Sequence, residues 1–292
     1  MTEITQHAPD IVSVLAPNPS PMTERGTNSY LVGTGSLAVI DPGPMMDAHL
    51  DALLGAIGTR TVEAILVTHA HLDHSPLARP LAEATGAPVL AYGDATAGRS
   101  AVMKQLAAEG LAGGGEGVDH DFRPNRCLSD GETVTGDGWA LTALWTPGHF
   151  GNHLCFASGS RLFSGDLVMG WSSSLVSPPD GDLTEFMASC ARLQETPWSI
   201  MYSGHGAPIQ DPAARLEWLI NHRRTREAQI LAALNAPLTL DALVSQVYND
   251  LPQAAWPAAA RNLFAHLVDL HELGLVQARP SLGVSAEFLP GA

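Results

Sequence analysis

The hexapeptide His69-Ala70-His71-Leu72-Asp73-His74 gathers three imidazoles and a carboxylate into one H-x-H-x-D-H run. Imidazole and carboxylate are donors to zinc, manganese and iron, so this spacing points to metal chemistry. The run follows Ala64-Ile65-Leu66-Val67, an apolar stretch that reads as a buried strand. In extended chain alternate side chains point the same way, so His69 and His71 can grip one cation together. Asp73 and His74 fall beyond the turn, where Ser75-Pro76 offers a helix start with a capping hydroxyl and a first-turn proline. That redirects the second pair toward a second metal, because a tetrahedral ion takes ligands from several directions.

Further donors belong at other strand ends, and the chain offers them. Thr146-Pro147-Gly148-His149 follows a strand ending at Trp145, Ser164-Gly165-Asp166 follows the next apolar strand, and Tyr202-Ser203-Gly204-His205-Gly206 follows Trp198-Ser199-Ile200-Met201. Each His or Asp stands directly after a glycine, whose backbone freedom lets a tight turn carry the side chain into a cleft. Two divalent ions about 3.5–4 Å apart can share a water, lower its pKa toward about 7 and polarise the oxygen it attacks, so that hydroxide is the nucleophile. No G-x-S-x-G elbow occurs, which leaves a serine triad without support. Asp73 is the candidate catalytic group, orienting the hydroxide and receiving its proton beside its duty as a ligand. Asp41, after Leu37–Ile40, is placed to accept a ligand imidazole N–H. His153 is read either as a donor to the ligands or substrate or as a structural imidazole. Thr27 and Asn28 either line the cleft or cap a turn.

The elements that must carry these groups alternate. Tyr30–Val32 and Leu37–Ile40 form a hairpin across Gly33-Thr34-Gly35-Ser36, followed by a helix over Met46–Ile57. The metal-bearing strand comes next, then a helix over Ser75–Thr85 and a strand over Ala87–Tyr92. Strands near Glu132–Val134, Ala140–Trp145, Leu154–Ala157 and Arg161–Ser164 crowd into a second sheet. The glycine-rich stretch 110–117 reads as a surface excursion, with a lid as the alternative. Pro212–Leu234 is one long helix, and its Arg223, Arg224 and Arg226 read as a solvated or ion-paired face, with a phosphate contact as the alternative. Helices over Leu240–Tyr248 and Ala258–Leu273, then strands over Leu275–Ala278 and Val284–Leu289, make a winged-helix layout. With only Arg261 and Arg279 against Asp241, Asp250, Asp269, Glu272 and Glu287, that module is expected to pack or dimerise rather than bind DNA.

The ordered set of H-x-H-x-D-H, His, Asp and His resembles the metallo-β-lactamase superfamily. That resemblance implies an α/β fold, a four-layer αββα sandwich with metals at one edge, over residues 1–211. Residues 212–292 would hold the linking helix and the small winged-helix-like module. It also implies the ligand assignment: His69, His71 and His149 on one metal, Asp73, His74 and His205 on the other, Asp166 bridging. The stretches Asn18–Thr23 and Gly26–Gly33, with His222-Arg223 and the tail, are similar to the subgroup of the β-lactamase-like endoribonuclease and its bacterial relatives. Leu72 stands where that endoribonuclease has a basic residue, and the segment 170–182 is similar to the bacterial branch.

Composition narrows the partners. The formal charge of −15, with 15 basic against 30 acidic residues, disfavours extended nucleic-acid binding. The first expectation is a metallohydrolase of a small ester, thioester, lactone or amide; single-strand RNA cleavage is the second and a non-catalytic metal-containing binder the third. The cofactors expected are two divalent ions, zinc first, manganese or iron otherwise. Cys127, Cys155 and Cys190 form no C-x-x-C pair and read as buried reduced thiols. The absence of a membrane-length apolar run and of a signal-like start gives a cytoplasmic expectation, with the C-terminal module closing over the cleft or forming a homodimer contact.

Overall fold

The computed structural model describes residues 3–115 and 117–291, so Met1, Thr2, Ala292 and the Glu116 of the glycine-rich stretch lie outside the described residues. The first half runs β1 (Ile4–Ala8), β2 (Ile11–Leu15), β3 (Asn28–Val32), β4 (Leu37–Ile40), α1 (Asp47–Ile57), β5 (Val62–Leu66), α2 (Ala78–Thr85), β6 (Val89–Ala91), α3 (Ala101–Ala108) and β7 (Arg126–Cys127). Its seven strands form one sheet in sequence order, antiparallel through β4 and parallel beyond it. The second half runs β8 (Thr133–Gly136), β9 (Trp139–Trp145), β10 (Leu154–Ser158), β11 (Arg161–Gly165), α4 (Leu183–Gln194) and β12 (Ile200–Ser203), a five-stranded sheet ordered β12-β11-β10-β9-β8.

Strand periodicity dictates how these sheets stack. Along β3, β4 and β5 the residues Tyr30, Val32, Ala38, Ile40, Ala64 and Leu66 point to one face, where Leu141, Phe156 and Phe163 of the second sheet meet them. The intervening Leu31, Val39 and Ile65 point the other way, against Leu53 and Ile57 of α1 and Leu81 of α2. The second sheet repeats the device, turning Cys155, Leu162 and Met201 outward onto Phe186 and Leu193 of α4 and onto Leu216 and Leu219 of the next helix. Helix, sheet, sheet, helix is the result, and burial on both faces explains why β3 and β4 carry no exposed position.

That next helix, α5 (Pro212–Ala233), starts with Asp211 accepting from the Ala214 N–H and Pro212 in the first turn. Beyond it come β13 (Leu238–Thr239), α6 (Leu240–Val247), α7 (Trp256–Glu272), β14 (Val276–Arg279) and β15 (Glu287–Pro290), the last strand pairing with both others. Ile230 of α5 joins Leu243, Leu263, Phe264 and Phe288 in this winged-helix core, and Met103 and Leu106 of α3 complete it. Both α5 and α7 are thus shared with the sandwich, since Leu216, Leu219 and Ala265 sit in the core under the second sheet.

Several local expectations are corrected. α2 begins at Ala78, not Ser75: Ser75 to Leu77 form a turn in which the Ala78 N–H donates to the Ser75 carbonyl, no side chain caps the helix, and the Ser75 hydroxyl donates to Asp119 Oδ2 at 2.7 Å. The strand expected over Val284–Leu289 is confined to Glu287–Pro290. Cys155 and Cys190 are buried thiols, but Cys127, on edge strand β7, is exposed. The glycine-rich stretch is not a plain surface excursion: Leu72 N–H donates to Gly117 O at 3.0 Å, Asp119 N–H to Ala70 O at 2.9 Å, and Arg261 to Ala112 O at 3.0 Å. Among the described residues no helix is long and apolar enough to cross a membrane.

Phe156 is fully buried between the sheets. Phe156→Ala should lower the unfolding free energy by about 3–5 kcal/mol, read by urea denaturation followed by circular dichroism.

Candidate metal centre

The donors leave the sheets at one edge. The hexapeptide follows β5, His149 follows β9, Asp166 follows β11 and His205 follows β12. Parallel pairing of β11 with β12, and two successive antiparallel pairings from β11 to β9, bring the C-terminal ends of these three strands to the same side of their sheet. Glycines permit the final approach. A Cβ at Gly148, where φ is +137°, would fall 2.2 Å from Phe186 Cα, and one at Gly204 would fall 2.3 Å from Asp166 Oδ1.

Two clusters result. His69 Nε2 lies 2.9 Å from His71 Nδ1, and His149 Nε2 lies 3.2 Å from the same atom. The second cluster holds Asp73, His74, Asp166 and His205, with one donor atom of each within 4.8 Å of the rest. In it His205 Nε2 is 3.1 Å from both Asp73 Oδ2 and Asp166 Oδ2, and 3.3 Å from His74 Nε2. Asp166 Oδ2 also comes within 3.9 Å of His149 Nε2, between the clusters.

These residues fit a cation pair on the chemistry of the donors. The far nitrogens of four imidazoles are engaged outward: His69 Nδ1 with Thr68 Oγ1 (2.9 Å), His74 Nδ1 with Asp41 Oδ2 (3.0 Å), His149 Nδ1 with Leu175 O (2.7 Å) and His205 Nδ1 with Gly26 O (3.1 Å). A nitrogen that donates outward leaves the other lone pair facing the cluster, the tautomer a metal needs. Asp73 Oδ1 and Asp166 Oδ1 are buried with no hydrogen-bond partner among the described residues, as carboxylate oxygens reserved for a ligand would be.

Without metal the two clusters are charged differently. Burial, reinforced by neighbouring imidazoles, drives His69 well below its ordinary pKa, and burial with His149 beside it takes His71 down to about 3; burial also lowers His149. The second cluster opposes burial with carboxylates. Burial disfavours charged His205, yet Asp166 and Asp73 outweigh it and raise its pKa to about 10. His74 is likewise raised, by Asp73, Asp166 and Asp41 against burial. Burial would raise Asp73 and Asp166, but His74 and His205 hold both below the usual carboxylate range.

The other expected residues fall as follows. Asp41 does accept the His74 N–H. Thr27 and Asn28 do not line the cleft: Thr27 Oγ1 donates to Asp73 Oδ2 at 3.3 Å, and Asn28 Nδ2 donates to Ser203 O at 3.2 Å and Gly206 O at 2.9 Å. His153 is buried behind His69, its Nδ1 at 3.1 Å from Thr146 Oγ1 and its Nε2 unpartnered among the described residues, so it reaches no substrate. A cavity of about 510 Å³ opens over His71, Asp73, His149, Asp166 and His205. Its walls include Tyr248, Leu251 and Asn262, so the C-terminal module does close over the cleft, one of its two expected roles, while Trp171 and Leu175 of the 170–182 segment and Arg223 and Arg226 of α5 were not assigned to the cleft from the sequence. The only signals for them were the length of that segment and the arginine group itself.

A two-sheet sandwich with His and Asp clusters at its strand ends, backed by a winged helix, defines a class of metallohydrolases. Residues 22–205 match the family model for the metallo-beta-lactamase superfamily, and residues 239–283 match that for the beta-lactamase associated winged helix domain. A "Beta-lactamase-like protein 2 homolog" of Drosophila melanogaster is 32% identical over 300 residues, 98% of this chain and 95% of the relative. An "Atrochrysone carboxyl ACP thioesterase" of Aspergillus fumigatus is 28% identical over 80% of this chain and 68% of its own length. Among solved structures, a metallo-beta-lactamase family protein from Thermus thermophilus aligns with a TM-score of 0.77 and 27% identity, over 97% of this chain and 99% of that one. The chain belongs to the metallo-beta-lactamase superfamily and is a hydrolase of that family.

The raised His74 and His205 carry protons at pH 7 that a cation must displace. Zinc titrated into chelator-treated protein at pH 7 in weak buffer should release about two protons, measured with an indicator dye. In the metal-free chain, stability from His205 is fully present below pH 6.5 and is lost as pH rises through about 10. Thermal melts across that interval should show the decline.

Proposed function

We propose that this chain is a binuclear metal-dependent hydrolase of a small ester or thioester, with lactones and amides within the same reaction class. The observation that carries this reading is the position of Asp166, whose Oδ2 lies 3.1 Å from His205 Nε2 in one cluster and 3.9 Å from His149 Nε2 in the other. His69, His71 and His149 would hold one divalent ion, Asp73, His74 and His205 a second, with Asp166 shared. Bound there, such a pair supplies hydroxide at neutral pH and polarises a carbonyl.

The chain's own groups then orient and shield. Asn18 Nδ2 donates to Thr27 Oγ1 at 3.0 Å, and Thr27 donates onward to Asp73 Oδ2, fixing that carboxylate. Asp73 Oδ1 keeps no partner among the described residues and can accept a hydrogen bond from the attacking water, holding it toward the cavity. Met169, Trp171 and Leu175 make the nearby wall apolar, which limits competing water. The cavity volume suits a small molecule, and a formal charge of −15 opposes a polyanion. The Aspergillus fumigatus relative, named as a thioesterase, supports the thioester as the first substrate to try.

Metal-loaded protein offered a panel of acyl thioesters and, separately, single-stranded RNA should hydrolyse the thioesters and leave the RNA whole; salt-sensitive RNA cutting with inert thioesters would reverse the reading. His71→Ala should bind one metal fewer and lose hydrolysis by about a hundredfold or more while keeping its circular dichroism spectrum. Elemental analysis gives the stoichiometry, and full activity with one metal fewer would contradict the two-ion scheme.

A further inference from the structure

The α5 side of the cavity holds two guanidinium groups that no carboxylate among the described residues meets. Arg223 is only 3% exposed, with Nη1 donating to Asn262 Oδ1 at 3.0 Å, Nη2 to Ser174 O, and a buried Nε that has no partner among those residues. Arg226, one turn on, gives Nη1 to Val247 O at 2.6 Å and lies 4.0 Å over the Tyr248 ring. Burial pushes the Arg223 pKa down to about 10, which still leaves it charged at neutral pH.

Two other partly covered arginines are treated differently. Arg99 meets Asp180 at 2.5 Å, and Arg161 forks onto Asp10 at 2.7 and 2.8 Å. In a chain with 30 acidic residues, leaving a buried guanidinium without an anion is a choice of position rather than a shortage of carboxylates. An unpaired buried cation is expensive, and the cost is recovered when an anion arrives with the geometry to pair with it. Both arginines line the same cavity as His71, Asp73 and Asp166, Arg223 with its guanidinium also 5.1 Å over the Phe186 ring, and apolar residues such as Met169, Leu175, Leu251 and Ala258 line it with them.

We propose that Arg223 and Arg226 form a receptor for an oxyanion carried by the substrate, remote from the bond that is cleaved. The substrate class is then a thioester or ester with an apolar middle and an anionic end, a carboxylate on the acyl chain or a phosphate on the leaving thiol. This proposal rests on the hydrolase reading above and adds the charge that the substrate must bear.

The test compares three substrates: a neutral hexanoyl thioester, its counterpart ending in a carboxylate, and a hexanoyl thioester of a phosphate-bearing thiol. Wild-type protein should favour at least one anionic substrate over the neutral one by about tenfold in kcat/KM, mostly through KM, and the favoured arm identifies the anion. Arg226→Gln should collapse that ratio, and Arg226→Lys, which keeps the charge, should restore part of it. No preference in the wild type, or an equal loss on all three substrates, overturns the proposal. Should none be hydrolysed, the hydrolase reading fails by itself, and calorimetry on chelator-treated protein decides the anion site. Hexanoate or inorganic phosphate binding about tenfold more weakly to Arg226→Gln supports it. Equal affinity for both proteins, or no binding to the wild type, overturns it.

Discussion

Asp41 leaves the end of β4 in the left-handed region, with φ at 51°, and its carboxylate there takes three hydrogen bonds. Thr68 N–H and Thr68 Oγ1 each donate to it at 2.7 Å, and His74 Nδ1 donates at 3.0 Å. The same Thr68 oxygen lies 2.9 Å from His69 Nδ1. One buried carboxylate therefore sets the ring orientation and tautomer of a histidine in each cluster, directly for His74 and through Thr68 for His69. A non-glycine residue in the left-handed region costs about 1–2 kcal/mol, and charge-assisted bonds inside the protein are strong enough to offset it. The strain places the carboxylate under the metal-facing turn, where an extended residue at the end of β4 would not carry it.

The charge pattern follows from that anchoring. The first cluster has no carboxylate of its own, so burial leaves its imidazoles neutral, with lone pairs ready for a cation. The second has two carboxylates, and without metal their charge is balanced by protons on His74 and His205. A cation held by the second cluster would have to replace those protons, whereas one held by the first would displace none from its imidazoles. Asp166 reaches both clusters, and a positive ion on either side would further stabilise its ionised form.

Much of this was legible locally. The hexapeptide announces itself because its donors are adjacent in sequence, and His149, Asp166 and His205 because each follows a glycine at a strand end. The continuous apolar runs Leu37–Ile40 and Ala64–Val67 foretold strands buried on both faces. Other features depend on what lies across space. Ser75 reads as a helix cap, but its hydroxyl donates to Asp119, distant in sequence, and the helix starts three residues later. His153 looks like a sixth imidazole of the site, yet the turn just ahead of β10 puts it behind His69. Arg223 and Arg226 read as a solvated face because a lone long helix shows its periodicity but not how many cores will share it. The β1–β2 hairpin and helices α3 and α4 were not assigned from the sequence, although Ser100 and Asp182 are the cap residues of α3 and α4 and Leu183, Phe186, Cys190 and Leu193 recur at helical spacing.

The winged-helix part owes its meaning to this sharing. A free-standing reader of DNA would present its second helix to a groove, but α7 buries Ala259, Leu263, Phe264, Ala265, His266 and Leu267 against its own core and the sandwich. Asn262 from the same helix accepts both the Val176 N–H and an Arg223 N–H at 3.0 Å, tying the 170–182 segment to α5. The metal edge alone would be an open ledge at the ends of strands, wet and indifferent to what lay beyond the reacting bond. With α5, α7 and the 170–182 segment locked together, that ledge becomes a cavity whose far wall has a composition of its own. That far wall is built by residues well downstream of the hexapeptide, on elements that contribute no donor to either cluster.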